Sequence, residues 1–331
     1  MTTAVRGNQD PIIVSLRSGN DSLDEEFIRK RCPGESLSQP GYELRVNSKE
    51  PADVVIILGH LRKDEKLTAR PGYVFRWDQE PQSRVPFSRT IDRFYTHLSD
   101  PGNARIVPSP PILDWYVDRS YDALANDVEP LKTETLSVIA STMTKLAGHR
   151  ARGALAEAIA KEIPVAHLYG RGRERELSDK AEGLFPYRYS VAVENTSRPH
   201  YWTEKISDCF VSLTVPFYFG APNITEYFPE EALIPIPVDD PERAIAIIRE
   251  TLHRDDYEAR LPALREAKRL VLEKYSLHAT IGRIVSEEAD LIRSRPRRTR
   301  TLHGRLTRRL GWIRGKGIRV NLREQWAKRV G

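Results

Sequence analysis

The 331-residue chain is 40% hydrophobic and 30% charged, a globular composition that excludes a disordered protein, and its length allows two domains of ordinary size. The net charge of +6 is unevenly placed: residues 293–331 hold fourteen Lys or Arg against Glu324 alone, a net +13, which leaves −7 for residues 1–292. No apolar run approaches the roughly 20 residues that span a bilayer, and MTTAVRGNQDPIIV lacks the basic start and apolar core of a secretory signal, so a cytoplasmic protein is expected. Cys32 and Cys209, the only cysteines, fit neither a disulfide framework nor a zinc site, which agrees with a reduced compartment.

In chain order, PIIVSLR (11–17) and DVVIILG (53–59) are short Val/Ile-rich runs bounded by Pro, Gly and charge, the pattern of buried parallel strands. YVFRWDQ (73–79) and DRFYTHL (92–98) are further strand candidates, and NARIVPSPP (103–111) closes this half in a Pro-rich stretch that no helix tolerates. SLDEEFIRKRC (22–32) is the best helix between them. A second series follows: strand LSVIAS (136–141), helix GHRARGALAEAIAKEI, strand VAHLYG (165–170), strand YSVAVEN, helix YWTEKISDCFVSL, strand VPFYFG and ALIPI. This alternation predicts a parallel α/β domain. DPERAIAIIRETL and the stretch from Asp255 to about Ile292 read as helical. The expected organisation is an α/β domain over 1–130, a second over 131–292 with C-terminal helices, and a basic tail over 293–331. Two doubly wound domains then face a cleft at the carboxyl ends of their strands, where ligands of open α/β sheets bind.

Glu194 and Asn195 follow the apolar YSVAV and so stand at a strand's carboxyl end. Local turn formation explains Asn195 and Thr196 equally well. The order Tyr201, Trp202, Thr203, Glu204, Lys205 favours a site. Thr203 is placed to cap a helix whose N-terminus attracts phosphate through free N–H groups and the dipole. Lys205 adds a point charge, and Glu204 is either a hydroxyl acceptor or a first-turn complement to the dipole.

Residues 187–228 resemble the signature of the family 10 glycosyltransferases, the α-1,3/4-fucosyltransferases. The resemblance is carried by VEN (193–195), YWTEK (201–205) and VPFYFG (215–220), clear over about 136–240 and faint before it. It implies a GT-B architecture in which the C-terminal domain binds GDP-fucose and the N-terminal domain binds a glycan acceptor and supplies the base of an inverting transfer. Tyr201, Glu204 and Lys205 then look like donor contacts, with Glu194 and Asn195 beside them. Arg152, with Arg150 as the alternative, resembles the family's pyrophosphate arginine; a guanidinium fork suits phosphate oxygens. FRWDQEPQ (75–82) resembles the stretch carrying the base. Glu80 is the first candidate and Asp78 the reserve, since alternation along a strand places both on one face.

No Asp-x-Asp is present and the histidines are scattered, so no essential metal and no cofactor beyond the donor substrate are expected. In the tail, Leu302, Leu306, Leu310 and Ile313 fall near one side of a helix among arginines, with Trp312 and Trp326 nearby. A basic segment of this kind can lie on an anionic membrane surface, and this peripheral association is favoured over nucleic-acid binding. Use of another GDP-sugar, or a non-catalytic nucleotide-sugar or nucleic-acid binding protein, are the rival readings.

Overall fold

The computed structural model describes residues 10–20, 23–81, 88–112, 115–126, 129–140 and 147–302. In the first half the elements are β1 (Ile12–Ser18), α1 (Glu25–Lys30), β2 (Ser38–Gln39), β3 (Tyr42–Val46), β4 (Val54–Leu58), β5 (Glu65–Ala69), β6 (Val74–Trp77), β7 (Arg93–Thr96) and β8 (Ile106–Pro108). All but β5 form one sheet in the order β2-β3-β1-β4-β6-β7-β8, parallel except for β2. Every residue of β4 is buried, as expected for a central strand covered on both faces. Asp24 caps α1 by accepting the Phe27 amide at 2.8 Å.

The second half contains α2 (Tyr121–Ala125), β9 (Glu134–Ile139), α3 (Ala147–Glu162), β10 (Ala166–Tyr169), a 3-10 turn at Lys180–Gly183, β11 (Tyr187–Val193), α4 (Glu204–Val211), β12 (Val215–Phe219), β13 (Ile234–Pro235), α5 (Pro241–Arg254) and α6 (Tyr257–Leu270). Its five strands are parallel in the order β10-β9-β11-β12-β13. The predicted α/β class with parallel sheets is what the structure contains.

Two expectations need correction at the domain borders. The stretch from Asp255 to Ile292 is not one helical unit of the second domain. A π-helical turn at Val271–Tyr275 follows α6, and Ser276 caps a separate α7 (Leu277–Ser294) by accepting the Ala279 amide at 3.3 Å. Leu277, Ile281, Ile284, Val285 and Ile292 follow helical spacing and bury in the core of the first domain, beside Val14, Leu44 and Phe75. Conversely Trp115, Val117 and Leu124 belong to the core of the second domain. The chain therefore crosses between domains near residue 115 and returns at Ser276.

The tail also begins later than its charge implied. Residues 298–302 form β14 (Arg298–Leu302), antiparallel to β5, and Leu302 is buried against Leu67 and Phe94 rather than presented to a membrane. Arg297 and Arg70 both pair with Asp53, Arg300 pairs with Asp92 at 2.8 Å, and Arg295 donates to the Pro71 carbonyl at 2.7 Å. Burial acts to raise the Asp53 carboxyl, but Arg297, the Ile13 amide and Arg70 together hold it below the ordinary range. The remaining tail positions singled out above, Leu306, Leu310, Trp312, Ile313 and Trp326, lie outside the described residues.

Compared with a chain ending at residue 302, one ending at 292 loses Arg295, Arg297 and Arg300 and the cover over Leu67. The loss is on the order of 3 kcal/mol, or roughly 6–12 °C for a domain of this size. Calorimetry of the two truncations decides it, and equal melting temperatures would refute the latch. Because the Asp53 carboxyl is depressed in the folded state, the advantage is complete above the ordinary aspartate value of about 4 and shrinks as pH falls below it.

Candidate active site

The apolar run of β11 ends at Val193, and the next side chain, Glu194, is 1% exposed. A carboxylate so placed requires nearly complete hydrogen bonding. It accepts the Thr203 amide at 2.7 Å, the Thr203 hydroxyl at 2.9 and 2.8 Å, and the Lys205 ammonium at 3.1 Å. Burial still pushes the carboxyl above its usual range, against the opposing pull of Lys205. Glu194 thus positions the start of α4. Gly220, which ends the VPFYFG strand, sits so close that a Cβ there would come within 2.7 Å of the Glu194 Cγ and 2.1 Å of the Tyr218 hydroxyl.

Thr203 is the N-cap of α4, as expected, but the helix end is already occupied. The amide of Thr203 goes to Glu194 at 2.7 Å, and that of Lys205 lies 3.5 Å from the Thr203 hydroxyl. The helix therefore does not offer these first N–H groups to a phosphate. Cationic side chains must supply that role.

Lys205 stands between two carboxylates, Glu194 and, at 3.5 Å, Glu204. Burial alone would lower its ammonium, yet Glu194 and Glu204 raise it, so it remains charged. For Glu204 desolvation acts upward but is outweighed by Lys205 and Lys180, which hold it ionised. Arg152, on α3, faces the same space. Its guanidinium donates to the Asn195 side chain at 3.4 Å, and its buried Nε has no hydrogen-bond partner among the described residues. Desolvation lowers its pKa, and Glu194 and Glu204 act in the opposite direction. A guanidinium with a buried donor left over has the chemistry to receive an anion. Arg150, two residues earlier and so on the other side of α3, is exposed.

Across the cleft, the two candidate bases separate cleanly. β6 stops at Trp77, so Asp78 and Glu80 both lie beyond the strand. Asp78 is 4% exposed and bound at 2.7 Å to Arg76, itself buried. Glu80 is exposed at the rim, yet the protein around it lifts its carboxyl, desolvation first, with Lys205 opposing and Glu204 and Glu194 adding. Its field is thus shared with the α4 cluster of the other domain. Tyr201, 1% exposed, packs edge-on to His97 of the first domain with ring centres 5.6 Å apart.

Two residues not anticipated complete the cluster. Lys180 donates to Asp208 at 2.7 Å and lies 4.0 Å from Glu204. A cavity of about 190 Å³ is lined by Arg152, Lys180, Glu204, Lys205 and Asp208. It shares Ile139, Lys180 and Glu204 with a larger one of about 550 Å³ that runs along Gly170, Glu176 and Tyr116. Lys180 and Asp208 carry no local sequence signature, because their pairing spans 28 residues. Among the described residues no group of three or more His, Cys, Asp or Glu converges as a metal-ligand set.

Residues 130–257 match the model of the glycosyltransferase family 10 (fucosyltransferase) C-terminal domain. This part of the chain is a glycosyltransferase family 10 domain. A fucosyltransferase-like protein of Arabidopsis thaliana is 35% identical over 106 residues, 31% of this chain and 20% of that protein. The alpha-(1,3)-fucosyltransferase FucT of Helicobacter pylori is 31% identical over 118 residues, 34% of this chain and 23% of that enzyme. The chain thus matches about a fifth to a quarter of the length of these relatives. Two crystal structures of alpha1,3-fucosyltransferase cover 83% of this chain: one with GDP (19% identity, 95% of that chain, TM-score 0.52) and one with GDP-fucose (18%, 94%, 0.50). At these identities the likeness establishes the fold, the two-domain GT-B type. The family 10 domain carries VEN, YWTEK and VPFYFG within its matched span.

Replacing Glu194 with Ala removes the acceptor of four hydrogen bonds and leaves Lys205 with Glu204 as its one carboxylate partner among the described residues. The family 10 domain should lose about 3–5 kcal/mol of stability, read as an earlier urea midpoint; a loss under about 1 kcal/mol would show that Glu194 does not organise α4.

Proposed function

We propose that the protein is an inverting fucosyltransferase that moves fucose from GDP-fucose to a hydroxyl of a glycan acceptor. The observation that carries this reading is the convergence, on one cleft, of an arginine with an unspent buried donor and a raised carboxyl from the opposite domain. The resemblance of the solved fold, including forms crystallised with GDP and GDP-fucose, supports the choice of donor. In this reading the diphosphate lies against Arg152 and Lys205, and Glu204 accepts from the nucleotide's hydroxyls. Tyr201 and Asn195 wall the donor side. Glu194 acts through Thr203 and Lys205 and does not touch the donor.

Glu80 serves as the general base. It takes the proton of the acceptor hydroxyl while that oxygen attacks the anomeric carbon from the face opposite the leaving group. The bond between that carbon and the phosphate oxygen breaks, and its electron pair departs on GDP. Arg152 and Lys205 stabilise the charge that accumulates there. Asp78 instead buttresses Arg76 beneath the cleft floor. The basic segment beyond residue 302 supplies the charge for peripheral association with an anionic membrane surface, where a surface-glycan acceptor would be built.

GDP and GDP-fucose should raise the melting temperature of the wild type, and Arg152→Met should lose most of that shift. Arg152 is the better probe than Lys205, whose removal also leaves Glu194 unpaired. UDP-sugars raising the melting temperature as much as GDP does would overturn the donor assignment. Glu80→Gln should lower kcat by about 10²–10⁴ with GDP affinity unchanged. Since the Glu80 carboxyl is raised, kcat/KM should fall off on the acid side at a pH above the ordinary glutamate value of about 4.3. A Glu80→Gln enzyme with wild-type kcat would remove it from the mechanism.

A further inference from the structure

The segment joining the two domains is held from both sides. Arg31 of α1 donates twice to the Trp115 carbonyl, at 3.0 and 2.6 Å, and Lys30 pairs with Asp118 at 3.3 Å. From the family 10 domain, one oxygen of Asp208 accepts the amides of Tyr116 and Val117 at 2.5 and 3.2 Å, and Asp179 accepts that of Asp118 at 3.0 Å. Three successive amides of the joining segment thus end on carboxylates of that domain, while the preceding carbonyl ends on an arginine of the other.

Asp208 also forms part of the donor cavity wall. It lies one helical turn after Glu204 on α4, so both carboxylates face the same way. Its second oxygen receives Lys180, whose ammonium also stands 5.5 Å from the Tyr116 ring. Asp208 is buried, with a side chain 2% exposed, whereas the Lys180 side chain is 33% exposed and opens into both cavities. One ion pair therefore has one end in the joining segment and the other in the space the nucleotide would fill.

We propose that Lys180 and Asp208 are a positioning pair that couples occupancy of the donor cavity to the segment joining the domains. The inference rests on the GDP-sugar reading of that cavity. In the empty cavity, water reaches Lys180 and screens its attraction to Asp208. A nucleotide against Lys180 and Tyr116 excludes that water and strengthens the pair, because the same charges interact more strongly in a lower local dielectric. A carboxylate held fully ionised is in turn the stronger acceptor for the Tyr116 and Val117 amides. Donor binding then stiffens the connection that sets how Glu80 meets the sugar.

The test is amide hydrogen exchange over residues 115–119, with and without saturating GDP, with calorimetry run alongside to establish that GDP is bound. In the wild type, exchange at Tyr116 and Val117 should slow by about tenfold on binding. Lys180→Met should still bind GDP at higher concentration but show no such slowing, and Lys180→Arg should restore it. Asp208→Asn keeps an acceptor oxygen without the charge, so its baseline protection should persist while the GDP-dependent gain disappears. A purely structural role for Lys180 would lower stability and leave the gain intact, which would overturn the proposal. GDP binding without any change at Tyr116 and Val117 in the wild type would overturn it as well. Failure of GDP to bind the wild type at all would bring down the donor reading and this inference together, and calorimetry records that outcome separately.

Discussion

The burial of the Glu194 carboxylate is the constraint on which the rest of the site depends. A carboxylate at the end of an apolar strand is tolerated only where donors surround it. Here the donors are the amide and hydroxyl of Thr203 and the ammonium of Lys205. That requirement dictates where α4 begins, which turns its first residues toward the cleft and its Ile206 and Phe210 into the core. Gly220 belongs to the same arrangement, since any side chain there would press into Glu194 and Tyr218. The three motif pieces, the strand end, the helix start and the following strand's glycine, are thus one packing unit. Their joint presence in the sequence is more informative than any one alone.

Charge pairing offsets part of the cost of burying this unit so near the interior. Glu194, Glu204 and Asp208 pair with Lys205 and Lys180 within the cluster, and Arg152 stands close by with Asn195 as its hydrogen-bonding partner among the described residues. The carboxylates are satisfied internally, so the cluster does not need a ligand to fold. The arginine is not satisfied in the same way. This division separates residues that build the site from the residue best placed to accept a new anion. Glu80 reads the same field from the other domain, its carboxyl raised by Glu204 and Glu194 and restrained by Lys205.

Legibility in the sequence followed how local the determining interactions are. β1, β4, β11 and β12 announce themselves because strands covered on both faces need unbroken apolar runs, and VEN with YWTEK is visible because its members lie within twelve residues. β3, with half-buried polar positions interrupting its apolar ones, and β5, which reads EKLTA, are set by their partners. β14 is hidden more deeply, since RTRTL looks like part of a basic tail until Asp53 and Asp92, more than two hundred residues earlier, are seen to receive its arginines. The choice between Asp78 and Glu80 was closed to sequence for a related reason. It turns on where β6 stops and on the burial of Arg76, neither of which the spacing of two acids reveals.

The crossing of α7 back to the first domain gives these local facts a common consequence. The chain passes between domains near Trp115 and returns at Ser276, so the halves are joined twice, and the second passage runs through the π-helical turn that ends at Tyr275. A single flexible join would leave Glu80 free to sample many distances from the family 10 domain. Two joins, one gripped by Arg31 and Asp208 and the other carried by a helix buried in the opposite core, restrict relative motion to a narrow range. Where groups on the two walls of a cleft must meet one ligand, holding them near one geometry removes part of the entropic cost in advance. The latch formed by β14 serves the same end from below. It holds the terminus of α7 to the first sheet, so the returning helix is fixed at both its start and its finish.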